Sequence, residues 1–453
     1  STVMGSGPSR ITYLYYNSIR LYHYNYKRDK LFKNLLIIFG DANGCISNLL
    51  KFNAMTTHNM PELRNDHAAP SLWLLGAIGS LSPFAMTIVI PLFPMIGLLF
   101  DENPARLQYL ASAYIFGLAV AQPIAGILSD RIGRRPVLLA GLAVFFLSSV
   151  SLAICVDYEV MVLLRFIQAV GVSVGTVVAR AVARDMLEGE SLLHAFSFMS
   201  ASIGAAPIVA PILGGLMGYF FGYQGVYVLA TFLGLGISYW SWRSIPETAN
   251  CSKNNSITID RITSLLKSGR FLGYTGIFGF LQATFLSFVS IGAAVFNDYF
   301  GIGQIGFGVI WGFMALAYVT GSILLSRLTK RFGSVNLTGY CVAMLVGLGW
   351  LGFIIQAQLG ITILTVLLPL TGLMLLSGVL TPIAMLGAVE TFPQISGTAS
   401  GISSSCGLMI GGIFSVISGS VYEWGYIYVA LVCAIATFCV ALSWLLVQHS
   451  DHK

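Results

Sequence analysis

The feature that most limits the fold of this chain is a succession of apolar stretches, each long enough to cross a lipid bilayer. About 20 apolar residues span the hydrocarbon core as a helix, because a helix satisfies its own backbone hydrogen bonds. With 9% charged and 56% hydrophobic residues, the chain is too apolar for a soluble protein. We predict an all-α membrane protein with twelve spans, at roughly 72–100, 106–129, 137–155, 159–180, 195–219, 224–242, 271–296, 305–326, 336–356, 361–387, 396–420 and 425–447.

The basic residues between the spans lie almost entirely in alternate loops. The intervening loops carry only Arg106. Because Lys and Arg stay on the cytoplasmic side of a membrane, this alternation predicts that both termini are cytoplasmic. It also explains the net charge of +6 without nucleic acid as a partner. The loops after spans 2, 4, 6 and 8 carry Arg131, Arg134, Arg135, Arg184, Arg243, Lys253, Arg261, Lys267, Arg270, Arg327, Lys330 and Arg331.

A polar connection between spans 6 and 7 divides the spans six and six. A weak internal repeat agrees with this division, since Arg131 and Arg135 recur as Arg327 and Arg331, 196 residues later. Two parallel repeats place a substrate site at the midplane between the halves. The predicted segments are a first half at 71–243, a cytoplasmic linker at 244–270, a second half at 271–448 and a cytoplasmic tail at 449–453.

Residues 1–70 do not follow this pattern. They are polar, tyrosine-rich and basic, and they contain no apolar run long enough to span. We expect this segment to be disordered or to lie upstream of the true start, with Met55 or Met60 as the initiator. A cytoplasmic tail and an organelle-targeting extension are the alternatives.

The loop Gly126–Pro136, between spans 2 and 3, carries one acid and three arginines. Its glycines allow close backbone approach, and its Asp/Arg pairing can bridge neighbouring helix ends. Its pattern Gly-x-Leu-x-Asp-Arg-x-Gly-Arg-Arg resembles the loop between helices 2 and 3 of the major facilitator superfamily. The alternative is an ordinary positive-inside loop. The candidate gating residues are Gly126, Asp130, Arg131, Gly133, Arg134 and Arg135.

Span 4 carries the clearest candidate for chemistry inside the membrane. A charge within the bilayer is costly, so an intramembrane ionisable group indicates function. Arg165 and Gln168 are three residues apart and share a helix face. We predict that they line a central cavity. The alternative is that Arg165 extends to the outer surface, because it lies near the end of the span. Arg180, at the other end, is predicted to be an interfacial cation.

Spans 1, 5 and 7 supply further candidates. In span 1, Phe84 and Thr87 fall on one face with Pro91 and Pro94, and in span 7 Gln282 lies between two phenylalanines. We predict that these residues line the cavity, although plain packing is the alternative for each aromatic side chain. Span 5 can bend at two prolines that remove helix hydrogen bonds and can pack closely through its glycines. Its candidate residues are Pro207, Pro211, Gly214 and Gly215.

Taken together, three stretches resemble the bicyclomycin-resistance (Bcr/CflA) family, a bacterial drug:proton antiporter branch of the major facilitator superfamily. They are the Asp130 loop, the Arg165–Gln168 span with Val177–Asp185, and the Ala206–Gly215 span. The resemblance covers about 70–450. It implies a monomeric multi-pass exporter of the bacterial inner membrane that works by alternating access. It further implies that Arg165 serves coupling or substrate binding, that span 5 marks an antiporter, and that the Asp130 loop controls cytoplasmic closure.

One departure from the family concerns span 1. Members of the family usually carry an aspartate where this chain has Thr87, and no Asp, Glu or His falls in the middle of any predicted span. A hydroxyl cannot titrate near neutral pH, so the identity of the proton carrier is open. Arg165 would then face the cavity without a carboxylate. This favours anionic or carbonyl-rich neutral substrates over cations.

The sequence also excludes several classes of function. It carries no phosphate-binding loop of the ATP-driven pumps, and its six histidines lie outside the spans. We therefore predict no enzyme, no metal and no cofactor. The leading hypothesis is proton-coupled export of small amphipathic drugs. The alternatives are an uncoupled facilitator or metabolite exporter of the same fold, and a non-transporting membrane receptor.

Overall fold

The structure, a computed structural model, describes residues 71–102, 104–249, 259–302 and 304–451. The predictions for residues 1–70 lie outside this range. All regular secondary structure in the described residues is helical. In chain order the helices are α1 Leu72–Thr87, α2 Phe93–Phe100, α3 Pro104–Ile132, α4 Arg134–Ala153, α5 Tyr158–Met186, α6 Gly189–Ser244, α7 Ile259–Lys267, α8 Gly269–Phe300, α9 Gln304–Phe332, α10 Ser334–Leu359, α11 Ile363–Glu390, α12 Ser396–Tyr422 and α13 Tyr426–Asp451.

The twelve predicted spans are confirmed, because one of the helices contains two of them. Among the described residues, eleven helical segments are long and apolar enough to cross a membrane. One of them, α6, is 56 residues long and is interrupted at Gly222, whose φ of 66° and ψ of −171° are not helical. Because glycine adopts positive φ at little cost, α6 reverses there and accounts for spans 5 and 6.

Span 1 is broken rather than continuous. α1 ends at Thr87, a short 3-10 turn covers Ile90–Leu92, and α2 begins at Phe93. Pro91 and Pro94 supply no backbone N–H, so the α-helical hydrogen bonds cannot continue through them. The predicted common face of Phe84, Thr87, Pro91 and Pro94 is therefore wrong, because these residues do not belong to one helix.

The internal repeat is present, but its register differs from the predicted one. α3 and α9 are both 29 residues long and end at Ile132 and Phe332, 200 residues apart. Each is followed by a glycine with positive φ, Gly133 at 122° and Gly333 at 76°. The predicted offset of 196 is thus incorrect: the first arginine pair straddles the turn, whereas the second pair lies wholly within α9.

The two six-helix halves pack against each other along two interfaces, which we call seams. In the first seam α3 packs along α12, and in the second α6 packs along α9 and α11. At the α3–α12 seam, a Cβ on Gly126 or Gly401 would come closer than 3.0 Å to backbone atoms of the opposite helix. Glycine here permits the backbones to touch. We call the end of the bundle that carries Gly133 and Gly333 the Asp130 end, and the other the Asp101 end.

Candidate functional site

Asp130 joins the two halves at the Asp130 end. Its side chain is only 1% exposed. Its carboxylate accepts hydrogen bonds from the backbone N–H of Gly397 at 3.1 Å, and from the N–H and hydroxyl of Thr398, both at 2.6 Å. Gly397 and Thr398 are the second and third residues of α12. A helix N-terminus offers unpaired N–H groups and a partial positive charge, so it stabilises this buried anion.

Arg134 completes this interlock from the start of α4. Its guanidinium pairs with Asp130 and donates to Asp185 at 3.0 Å and to Ser396 at 3.0 Å. Its side chain is 4% exposed. One buried arginine thus bridges two acids of its own half and a hydroxyl of the second half. We call Asp130, Arg134, Asp185 and the residues Ser396–Thr398 the Asp130 interlock.

The other predicted gating residues surround the interlock in different ways. Gly126 packs on the Gly397 backbone, and a Cβ on Gly397 would meet the side chains of Ser129, Asp130 and Arg134 closer than 3.0 Å. Arg131 is exposed at the end of α3. The sequence did not predict the partners on α12, because nothing in the apolar run 396–420 marks its N-terminus as an anion site.

Glu247 holds the turn between α3 and α4. Its carboxylate accepts from the backbone N–H groups of Arg134 at 2.8 Å and Arg135 at 3.2 Å. This caps the positive N-terminus of α4. Arg135 also donates to the Trp242 carbonyl at 2.7 Å. Gly133 allows this approach, since a Cβ there would collide with the Glu247 carboxylate. Residues just beyond α6 therefore stabilise the predicted gating loop.

At the second seam the contacts near the Asp130 end are weaker. Lys330 pairs with Glu190 at 3.1 Å, but both side chains are more than half exposed. Exposed pairs contribute little, because solvent screens them. Deeper in the seam, the Ser197 hydroxyl donates to the Ser322 carbonyl. The halves are thus held at this end chiefly by the buried interlock.

At the Asp101 end, the polar contacts that the structure describes stay within each half. Arg106 pairs with Glu102 and Glu159 of the first half. The Tyr422 hydroxyl donates to Asp298 at 2.7 Å within the second half.

Arg165 lies inside the first half and does not extend to the surface. It is 1% exposed. Its guanidinium donates to the Ala85 carbonyl at 3.0 Å and to Gln168 Oε1 at 2.7 Å, and it stacks on the Tyr114 ring at 4.3 Å from the centroid. Gln168 in turn donates to Ser149 at 2.8 Å. Arg165 and Gln168 thus share a helix face and contact each other, and the Ala85, Tyr114 and Ser149 partners were not foreseen. That they line a central cavity stays a prediction.

Among the described residues, the Arg165 cation has only neutral partners. The ion pairs of the described residues do not include it, and its Nε is buried without a hydrogen-bond partner. A buried charge without a counter-charge is unfavourable, and a ligand that supplies an acceptor would relieve this cost. Arg165 thus keeps one buried N–H donor without an acceptor.

Thr87, Phe84 and Gln282 are not brought to Arg165 by any described contact. The Thr87 hydroxyl donates to the Pro83 carbonyl at 2.8 Å, where α1 ends. Phe84 lines a cavity of about 320 Å³ between α1 and α6. Gln282, on α8, is partly buried, and its backbone lies beside Gly411 of α12.

The prolines and glycines predicted for span 5 lie in α6. The backbone keeps helical dihedral angles through Pro207 and Pro211. A Cβ on Gly214 would meet the Ile88 carbonyl closer than 3.0 Å, so α6 packs here on the broken part of span 1. A Cβ on Gly215 would meet nothing within 4 Å.

Arg180 is predicted to be an interfacial cation, but in the structure its side chain reaches the second half of the bundle. Its guanidinium donates to the Ser404 hydroxyl of α12 at 2.7 Å. The sequence could not reveal this contact, because Ser404 lies 224 residues away in the chain.

Comparison with known proteins agrees with this architecture. Residues 75–415 match the sequence profile of the Major Facilitator Superfamily. Multidrug resistance protein D of Escherichia coli (strain K12) is 25% identical over 405 residues, which cover 87% of this chain and 99% of that protein. The bicyclomycin resistance protein homolog of Haemophilus influenzae is 26% identical over 352 residues, covering 76% and 88% respectively. These relatives confirm the predicted resemblance.

A solved structure has the same fold. The proton:xylose symporter XylE superposes with a TM-score of 0.69 at 13% identity, covering 83% of this chain and 95% of that one. The matched profile spans most of the twelve membrane segments, including the interlock and Arg165. The chain therefore belongs to the Major Facilitator Superfamily of membrane transporters.

Proposed function

We propose that this chain is a secondary transporter that exports small amphipathic compounds, including drugs, across the bacterial inner membrane by alternating access. The relatives named for multidrug and bicyclomycin resistance support the substrate class. The concentration of Lys and Arg at the Asp130 end, including Arg131 and Arg327, supports a cytoplasmic position for that end and for both termini. The transporter acts as a monomer with the substrate site between its halves.

The observation that carries the proposal is the Asp130 interlock. It joins the halves through a buried carboxylate and a buried arginine, at one end of the bundle. At the Asp101 end the described polar contacts remain within each half. This arrangement fits a transporter closed toward the cytoplasm, and the inward-open state requires Asp130 and Arg134 to release α12.

Arg165 is the substrate-binding residue in this proposal. Its neutral partners and its unpaired Nε favour substrates that present a carboxylate or a carbonyl oxygen. The Arg165 guanidinium would repel a permanent cation, because no carboxylate in the described ion pairs neutralises its charge.

Export is coupled to protons in this proposal, through an acid outside the middle of the spans. Asp101 and Asp298, at the Asp101 end, are the candidates. Thr87 specifically favours a second candidate function, an uncoupled facilitator or metabolite exporter, because its hydroxyl cannot carry a proton near neutral pH.

Everted membrane vesicles that contain the full chain test the proposal. A pH-sensitive dye reports proton movement as neutral, anionic and cationic drugs are added, with Arg165→Ala as the control. Drug-evoked proton release that requires Arg165 is expected. Transport of labelled drug without proton movement would instead favour the uncoupled facilitator. Export of ethidium, with no export of neutral or anionic compounds, would contradict the substrate class.

A further inference from the structure

α5 carries two more arginines, Arg180 and Arg184, between Arg165 and the Asp130 end. Arg180 is fifteen residues beyond Arg165, which corresponds to about 22 Å along the helix. Arg180 and Arg184 are four residues apart, so they share a helix face. Like charges in this spacing repel each other. The function proposed above does not use either residue.

Both side chains lack a counter-charge within the part of the chain that the structure describes. The ion pairs of the described residues include neither Arg180 nor Arg184. The next residue, Asp185, is engaged by Arg134 and by the Thr248 hydroxyl. The Arg184 Nε is buried without a hydrogen-bond partner. The neutral Ser404 hydroxyl accepts from Arg180 at 2.7 Å. Two neighbouring cations are therefore only partly satisfied.

The hydroxyl that accepts from Arg180 belongs to the second half, since Ser404 lies on α12. If the halves separate at the Asp130 end, Ser404 withdraws. Arg180 stays with α5 and is then uncovered toward the compartment at that end, beside the partly buried Arg184.

A hydrogen bond that merely closes the seam does not require a cation. Neutral groups already bridge the halves nearby: the Ser405 hydroxyl donates to the Ala119 carbonyl at 2.6 Å, and the Ser197 hydroxyl donates to the Ser322 carbonyl. A guanidinium held within the helix bundle, as that of Arg180 is, is costly and points to a charged ligand.

We propose that Arg180 and Arg184 form the first-contact site for amphipathic organic anions, which they take up from the cytoplasm before passing them to Arg165. This inference rests on the proposed function. It adds that organic anions are the substrates that pass from Arg180 and Arg184 along α5 to Arg165. While the Asp130 end is closed, the Ser404 hydroxyl accepts the Arg180 hydrogen bond that the substrate oxyanion would accept in the open state. Bidentate donation by a guanidinium suits a carboxylate or sulfonate in particular.

Initial rates of uptake into everted vesicles test this inference, with fluorescein as the anionic probe and chloramphenicol as the neutral one. We expect Arg180→Gln and Arg184→Gln each to raise the KM for fluorescein about tenfold, because each removes charged hydrogen-bond donors to the oxyanion. The maximal rate and the KM for chloramphenicol should change less than about twofold. Arg180→Lys should restore most of the fluorescein affinity.

Two matched variants separate substrate binding from a structural role. Ser404→Ala removes the seam hydrogen bond but keeps the charge, so the KM for fluorescein should stay the same or fall. Arg243→Gln removes an arginine at the Asp130 end that lies over the Trp242 ring, and it should have no effect. If Ser404→Ala raises the KM as much as Arg180→Gln, the arginine only closes the seam and the inference is wrong.

The outcomes also distinguish this inference from the function on which it rests. Export of fluorescein by the natural chain, with an unchanged KM in Arg180→Gln and Arg184→Gln, overturns this site alone. Export of ethidium but not of fluorescein by the natural chain overturns the anion preference itself, and this site with it. Should Arg180→Gln fail to reach the membrane, Arg180→Lys and Ser404→Ala still decide between the two roles.

Discussion

Asp130→Asn tests the interlock most directly. The Asp130 carboxylate accepts two bonds on each oxygen: Oδ1 accepts from Arg134 and the Gly397 N–H, and Oδ2 accepts from the N–H and hydroxyl of Thr398. An asparagine has one acceptor oxygen. If the NH₂ group takes the Oδ2 position, the Thr398 hydroxyl can turn to accept from it, but the Thr398 N–H has no acceptor left. At least one bond is therefore lost, and the others lose the negative charge that strengthens them.

The expected magnitude follows from these bonds. A hydrogen bond to a charged group contributes roughly 1.5–3 kcal/mol and a neutral one roughly 0.5–1.5 kcal/mol. The loss of one bond and the weakening of the others therefore cost the closed conformation about 3–6 kcal/mol. At about 1.4 kcal/mol per factor of ten, the ratio of closed to open molecules should fall by roughly 10²–10⁴. The lower figure is the safer expectation, because water solvates the same groups in the open state.

Distances between nitroxide labels report this shift. Ile132, at the end of α3, and Val335, at the start of α10, are exposed at the Asp130 end in opposite halves. In a cysteine-free background, Asp130→Asn should lengthen the distance between labels at these positions in most molecules. Thr398→Val removes only the hydroxyl bond and should give a partial shift of about tenfold.

Glu159→Gln is the matched control. Glu159 is mostly exposed and pairs with Arg106 within the first half, so this change should leave the label distance at the Asp130 end as it is. If Asp130→Asn is folded and shows the distance distribution of the unchanged protein, the interlock does not hold the halves together, and the reasoning fails.

Three further predictions address the substrate path and the seam. Arg165→Ala should reduce drug transport by about 100-fold or more at an unchanged amount of protein in the membrane, because two hydrogen bonds from a cation are lost. Transport near the original rate would refute the role of Arg165. Gly397→Ala should open the Asp130 end, because its Cβ would come closer than 3.0 Å to the side chains of Asp130 and Arg134. Gly412→Ala, on the same helix, is its control. A Cβ there meets nothing within 4 Å, so the distance between the labels should be that of the natural chain. Thr87→Asp should add a titratable carboxylate and permit proton-linked ethidium export, and a variant that inserts normally but still excludes ethidium in flux assays would contradict this expectation.

Much of the architecture could be predicted from the sequence. The twelve crossings follow from local apolar length, and the turn at Gly133 follows from a charged loop between two spans. Even so, the break after Thr87 and the 200-residue repeat were missed. The apolar run through Pro91 and Pro94 masks the break, and the arginine pairs gave a false register.

The sequence also identified Arg165 and Asp130 as residues of interest, because charges are costly in a membrane and conspicuous in an apolar chain. It could not identify their partners. Asp130 meets Gly397, 267 residues away, and Arg165 meets the Ala85 carbonyl, 80 residues away. Membrane helices are apolar on most faces, so their periodicity does not indicate which faces meet. Only the tertiary structure places the buried Asp130 carboxylate of the first half against the N-terminus of α12, because that contact depends on how the two halves close.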